Sequence, residues 1–139
     1  MTKSFNTYLV AYLVAAVIFC VLDFIWLTIV AKNFYQSQLG PLMLAEPKMI
    51  PAATFYLVYL LGLLVFAIMP AVREQSWLTA VLMSGLLGIV AYGTYDLSNL
   101  ATLKGWSPTL TVIDIIWGAC VSAAAGSAGY YATRFFNSN

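Results

Sequence analysis

The sequence predicts an all-α polytopic membrane protein, a bundle of four transmembrane helices, and three observations predict it. Of the 139 residues, 63% are hydrophobic and 8% are charged, whereas a soluble domain carries about 25% charge and about 45–50% apolar residues. Six basic and five acidic residues are too few to coat a water-soluble domain of this length. The apolar residues fall into four runs, at residues 8–30, 52–69, 77–95 and 109–133. Each is near the roughly 20 residues that a helix needs to cross a hydrocarbon core. The runs are continuous rather than alternating, which selects helices over the strands of a barrel. No other structure satisfies its own backbone hydrogen bonds in lipid. The length predicts one membrane domain over residues 1–139.

The first run, 8–30, holds Asp23 as its only charge. Lys3 ahead of an apolar stretch resembles the start of a secretory signal. The run is too long for that, however, and no small-residue cleavage site precedes Asp23. Phe19 also stands where a lipoprotein signal needs a small residue. A retained helix is predicted. The connection at 31–50 sets Phe34, Tyr35, Leu39, Leu42 and Met43 among Lys32, Asn33, Gln36 and Gln38. That mixture predicts an interfacial segment lying on the headgroups over the acids, as a short helix, a lid or a plain connector. Pro51 opens the second span, where a missing N–H costs nothing, and Pro70 closes it. A tight turn at Arg73-Glu74 leads to Ser76, a cap for the third span, which ends against Asp96. The polar connection 97–108 carries Lys104-Gly105-Trp106. Ser107-Pro108 then starts the fourth span, with Asp114 as its only charge.

A net charge of +1 without a basic run excludes a nucleic-acid partner. Orientation is a tie, because Lys3, Arg73 and Arg134 share one side and Lys32, Lys48 and Lys104 the other. The chain has no His and no C-x-x-C, which excludes the usual zinc site. Cys20 and Cys120 are expected to be packing residues.

The acids carry most of the functional information. Counted along alternately directed helices at 1.5 Å per residue, Asp23, Asp96 and Asp114 lie roughly 10, 0 and 8 Å below one membrane face. We term this the loop face, because it bears the two longer connections. All the carboxylates in the spans therefore occupy one half of the membrane. A charge facing lipid at such depth costs several kcal/mol, so inward faces are expected. Asp114, Gly118, Ser122 and Gly126 recur every four residues, a ridge that permits close helix approach. Gly85, Gly88 and Gly93 share a broad face with Asp96, and Asp23 is expected over Cys20, Ala16 and Tyr12. Trp26 and Trp117 each follow an Asp by three residues. Lys104 is the candidate counter-charge, and Tyr92 and Tyr95 are candidate donors to the acids. The second span, whose polar groups are Thr54, Tyr56 and Tyr59, is expected to pack rather than to serve the site.

An acidic pocket between the first, third and fourth spans follows. Its expected lining is Asp23, Asp96, Asn99, Asp114, Trp26, Trp117, Lys104, Tyr92 and Tyr95. Like charges in a low dielectric do not all ionise cheaply, so such a pocket would bind a proton, a cation or a polar headgroup. No cofactor is evident. A divalent cation held through the oxygens of Asp23, Asp96 and Asp114 is left open. The opposing expectation is purely local: Asp96 capping a turn with Asn99 and Thr102, Asp114 taking Thr111 or the backbone N–H groups of a helix start, which also favours an anion, and Asp23 the hardest to explain as structure because it lies deepest. The segment Val21-Leu22-Asp23-Phe24-Ile25-Trp26 recurs as Val112-Ile113-Asp114-Ile115-Ile116-Trp117 on an oppositely directed helix, the pattern an inverted repeat would leave.

These residues carry a resemblance. Leu22-Asp23…Trp26-Leu27, Phe34-Tyr35…Leu39-Gly40, Phe55-Tyr56 and Pro70 are similar to a family of small bacterial four-helix membrane proteins, domain-of-unknown-function family 2177. The most specific stretch is Tyr92-Gly93-Thr94-Tyr95-Asp96-Leu97-Ser98-Asn99-Leu100-Ala101-Thr102-Leu103-Lys104-Gly105-Trp106, followed by Asp114…Trp117-Gly118. Ser98 stands where the family more often has Thr, which keeps the hydroxyl. The resemblance spans nearly the whole chain. It implies a multi-pass protein of the bacterial inner membrane and implies no activity.

Three functions fit the residues. The first is a protein, binding or enzymatic, whose acids handle a lipid headgroup or small amphiphile. No nucleophile–base pair or phosphate loop is visible, and whether it is an enzyme stays open. The second is a small proton- or cation-coupled carrier, which would need a homo-oligomer to form a pathway. The third is a structural or partner-binding subunit in which the acids are helix glue. The lipid bilayer is the partner common to all three.

Overall fold

The computed structural model describes residues 2–139, with side chains from Ser4 onward, so the Lys3 side chain lies outside the described residues. Among the described residues the chain is helical without a strand. Four helices, Ser4–Val30, Met49–Glu74, Trp77–Thr102 and Pro108–Ser138, are long and apolar enough to cross a membrane.

Helix α1, Thr2–Ile25, buries Thr7, Ala11, Ala15, Phe19 and Asp23. A spacing of four residues keeps these on one stripe. The stripe expected from sequence, through Tyr12, Ala16 and Cys20, is displaced by this one. Ala11 and Ala15 let α6 approach closely: a Cβ built on Gly129 would lie 3.1 Å from the Ala11 carbonyl oxygen. Both cysteines are exposed and free rather than packed. Helix α1 runs into one π-helical turn, Trp26–Val30, closed by the Ala31 N–H on the Trp26 carbonyl at 2.7 Å. Such wide turns recur at functional sites. From buried Ala31 the chain enters α2, Lys32–Leu39, so a short helix does form in the interfacial segment. Gly40, at φ +49°, reverses the chain.

The second span is α3, Met49–Leu63, a π-helical turn, Leu64–Ile68, and α4, Met69–Glu74. It continues beyond Pro70, where the sequence predicted an end. The wide turn just before Pro70 reorganises the hydrogen bonds that the proline ring would otherwise disrupt. Gln75, left-handed at φ +53°, stops it. Ser76 then caps α5, Trp77–Thr102, accepting the Thr79 N–H at 3.1 Å. Helix α5 passes the predicted end at 95 and carries Ser98, Asn99 and Thr102 within its last turns. The Thr102 hydroxyl bonds back to the Ser98 carbonyl at 2.8 Å, which lets a polar residue continue the helix. Ser107 caps α6, Pro108–Ser138, accepting the Leu110 N–H at 3.1 Å, with Pro108 at its first position.

Helix α6 is the hub. Its ridge Asp114-Gly118-Ser122-Gly126 is buried, as the sequence predicts. A Cβ on Gly88 would stand 2.3 Å from the Gly118 carbonyl oxygen, and one on Gly126 would stand 1.8 Å from Ser84 Oγ. Helices α5 and α6 therefore touch backbone to backbone, in the manner of small-residue membrane packing. The apolar core, with Phe19, Leu63, Ile68, Val121 and Ala125, lies where α1, the second span and α6 meet. Helix α5 packs against α4 and the turn Leu64–Ile68 but scarcely touches α3. Helices α3 and α5 thus diverge toward the loop face.

Candidate functional site

The divergence leaves a cavity of about 640 Å³. Asp23 from α1, Tyr35 from α2, Tyr56 from α3, Tyr92, Tyr95 and Asp96 from α5, and Asp114 from α6 reach its wall. Leu27, Leu39, Met43, Phe55 and Leu110 supply its apolar part. The volume is that of a site for a drug-sized molecule, and an apolar wall with a few convergent polar groups is the usual make-up.

The three aspartates differ in their partners. Asp23, 6% exposed, has both oxygens engaged: the Tyr56 hydroxyl donates to Oδ2, and Trp117 Nε1 donates to Oδ1 at 3.1 Å. Asp114, 8% exposed, accepts the Tyr35 hydroxyl on Oδ1 at 2.5 Å, and Tyr35 in turn accepts Trp26 Nε1 at 3.0 Å. Asp96, fully buried, meets the Asp114 carboxyl, and neither of its oxygens receives an N–H, phenol or other hydroxyl donor. The sequence made Asp23 the acid hardest to explain as structure. The structure reverses that order, because Asp23 is the one whose acceptors are filled. Asp96 does not cap a turn with Asn99 or Thr102, since the Thr102 hydroxyl is committed to Ser98. Thr111 likewise bonds the Ser107 carbonyl at 3.0 Å and accepts Trp106 Nε1 at 3.1 Å, leaving Asp114 to Tyr35.

Tyr35 is brought over the acids by the π-helical turn and α2. Burial first, and then its bond to Asp114, hold its phenol above the usual range, so it stays a neutral donor. A second tie, from the Ser107 hydroxyl to Gln38 Oε1, fixes the far end of α2 to the start of α6. Trp26 and Trp117 stack face to face behind the acids, with ring centroids 4.5 Å apart and planes 6° apart.

Of the residues expected in the pocket, Asp23, Asp96, Asp114, Tyr92 and Tyr95 reach the cavity wall. Trp26 and Trp117 stand behind it as donors. Asn99 is half-buried and off the wall, and Lys104 is exposed and off the wall. Lys104 is no counter-charge here, because the loop 103–107 directs buried Trp106, rather than Lys104, onto the cavity. Tyr95 packs edge-on against Trp106, with centroids 5.5 Å apart, instead of donating to an acid. Among the described residues no three His, Cys, Asp or Glu side chains group closely enough to hold a metal ion.

Two site residues escaped sequence reasoning. Tyr56 was treated as packing, yet it donates to Asp23, and Tyr59 pairs with the Ser122 hydroxyl deeper in the same span. All four spans line the site, not three. The usable signal was depth: Tyr56 stands one turn inside the loop-face end, level with the acids. Tyr35 was legible only as an aromatic of an interfacial segment.

A family described as "Predicted membrane protein (DUF2177)" matches residues 8–131. No curated protein and no solved structure is detectably similar to the chain.

Proposed function

The chain belongs to the DUF2177 family of predicted membrane proteins, and we propose that it binds an amphiphile by a cationic amine head held in the acidic cavity. The observation that carries this reading is Asp96, a fully buried carboxylate on the cavity wall with no donor to either oxygen. A buried acid set against another carboxyl, with no N–H or hydroxyl donor, is costly to ionise, and a ligand that supplies N–H donors and positive charge removes the cost. The cavity wall offers three aspartates and no Lys or Arg, so a phosphate or carboxylate head would be repelled. Aromatic rings of Phe55, Tyr56, Tyr92 and Tyr95 line the same space and suit an ammonium by cation–π attraction. The apolar wall accepts the alkyl part. Asp23, with its acceptors filled, is read as the fixed part of the wall, and Asp96 with Asp114 as the groups that meet the ligand. No catalytic step is assigned to them. For its location we propose the bacterial inner membrane, which the family resemblance implies and which houses helical rather than barrel proteins.

The test uses the full chain in lipid nanodiscs with dodecylamine, dodecanol and dodecyl sulfate. Binding of the protonated amine is expected to weaken roughly 10–100-fold in Asp96→Asn, the loss of a charge-assisted contact of about 1.5–3 kcal/mol. The sulfate should bind no better to the protein than to empty nanodiscs. Equal amine binding by Asp96→Asn and the parent would discard the reading.

A further inference from the structure

We infer that the ligand enters the cavity sideways from the bilayer, through the opening between α3 and α5, and is therefore a membrane-resident amphiphile rather than a water-soluble amine. This rests on the binding reading above and adds the route and the source.

The two sides of the cavity differ. Toward the loop face α2 is pinned at two points, by Tyr35 on Asp114 and by Ser107 on Gln38. Toward the bilayer there is no such closure. Helices α3 and α5 meet through the Leu64–Ile68 turn and separate above it. The floor of the gap is Tyr59, whose ring meets Tyr92 edge-on with centroids 6.4 Å apart. Above that floor, Phe55 on α3 and Tyr95 on α5 both reach the cavity wall while 46% and 57% exposed. A residue on the wall of a cavity and also on the outer surface of a spanning helix marks an edge of its mouth. Leu27 and Met43 also line the cavity while 44% and 40% exposed, but the two edges on α3 and α5 are aromatic and lie within helices long enough to span the membrane. A mouth edged in this way opens onto acyl chains, so an alkyl tail can stay in lipid while its head reaches Asp96. A water-soluble amine would have to leave water for lipid before reaching the same mouth.

The experiment closes the mouth at a chosen time. Cys20→Ser and Cys120→Ser remove the native thiols, which are exposed. Phe55→Cys and Tyr95→Cys are then joined by a thiol-reactive bifunctional linker, in the full chain in nanodiscs. The probe is radiolabelled dodecylamine supplied from donor vesicles, and the unlinked quadruple variant is the reference. Linking before the probe is added is expected to slow loading at least tenfold. Linking after loading is expected to slow release by a similar factor, leaving affinity unchanged. Gln38→Ala, which removes the tie to Ser107 and loosens the other side, should leave the loading rate as it was. Loading at the reference rate in the linked protein overturns the lateral route, and so does faster loading in Gln38→Ala. Slower loading together with weaker affinity also overturns it, because the link would then act by distorting the site. Failure of the parent chain itself to bind dodecylamine is a different result, and it overturns the binding reading instead.

Discussion

Trp26 and Trp117 stack with centroids 4.5 Å apart and planes 6° apart, and each indole serves the acid of the opposite helix. Trp117 donates to Asp23 directly, and Trp26 reaches Asp114 through the Tyr35 hydroxyl. The two similar hexapeptides, Val21 to Trp26 and Val112 to Trp117, account for this exchange. Each Trp lies three residues beyond its own Asp, roughly one turn. On antiparallel helices that offset carries each ring toward the other segment's carboxylate. Stacking then fixes both rings, so the donors are held before any ligand arrives.

Trp117→Phe keeps an aromatic ring in the stack but leaves Asp23 Oδ1 without its donor. A buried carboxylate that loses one partner costs about 1–3 kcal/mol. The melting temperature in detergent, followed by circular dichroism, is expected to fall by several degrees. Trp26→Phe should cost less, because the neutral Tyr35 hydroxyl loses an accepted bond while its own bond to Asp114 remains. Equal losses in the two variants would refute the direct role given to Trp117.

Tyr56→Phe should destabilise by a similar amount, about 1–3 kcal/mol, through Asp23 Oδ2. The sharper expectation concerns coupling. In an Asp23→Asn background the Tyr56→Phe loss should shrink, since the acceptor is no longer a charged carboxylate. Contacting pairs of this kind show interaction energies of about 0.5–3 kcal/mol. Strictly additive losses in the double variant would mean that Tyr56 acts as packing alone.

Much of the architecture was legible because lipid leaves few options. Four long apolar runs had to be helices, and the cost of a lipid-facing carboxylate directed Asp23, Asp96 and Asp114 inward. The ridge through Gly118, Ser122 and Gly126 was legible for the same reason: only small residues let backbones touch. Legibility ended where one residue's role depended on another helix. Cys20 and Ala16 share a face with Asp23 as plausibly as Phe19 and Ala15 do, and only the position of α6 decides between them. Pro70 looks like an end until a wide turn precedes it. Which acid lacks a donor depended on Tyr35 and Tyr56, two tyrosines on segments that pattern alone marks as connector and packing.

Gly88→Ala should be among the most damaging single-methyl additions in the chain. Its Cβ would meet the Gly118 carbonyl oxygen at 2.3 Å, and a backbone atom cannot rotate aside. Overpacking of this kind costs about 1–3 kcal/mol or more. Gly126→Ala meets Ser84 Oγ at 1.8 Å and Ser84 Cβ at 2.6 Å; the hydroxyl can turn but the Cβ cannot, so a loss of similar size is expected. Gly62→Ala is the control, because nothing lies within 4 Å of its Cβ position. Thermal unfolding should therefore place both Gly88→Ala and Gly126→Ala well below Gly62→Ala, and either of them unfolding with the control would contradict the close contact of α5 and α6.

Tyr35→Phe tests the closure over the acids, and its pH dependence is specific. The phenol donates to Asp114, and burial together with that bond raises its ionisation above the usual range. A group whose folded-state pKa is raised contributes stability that is fully present below the unfolded value, about 10 for tyrosine, and is lost as pH rises through the folded value. Amide-exchange protection of residues 32–39, corrected for intrinsic rates, should therefore stay level from about pH 6 to about pH 8 in the parent chain. Tyr35→Phe should lower it roughly 10–100-fold across that whole window, the equivalent of a charge-assisted bond of about 1.5–3 kcal/mol. Protection of α5 and α6 should be unaffected, since their contact is made by Gly88, Gly118 and Gly126, away from this bond. If α2 kept its protection in Tyr35→Phe, the Gln38–Ser107 contact alone would be holding the segment down. A decline in the parent beginning near neutral pH would instead show that the phenol is not the group that holds α2 to Asp114.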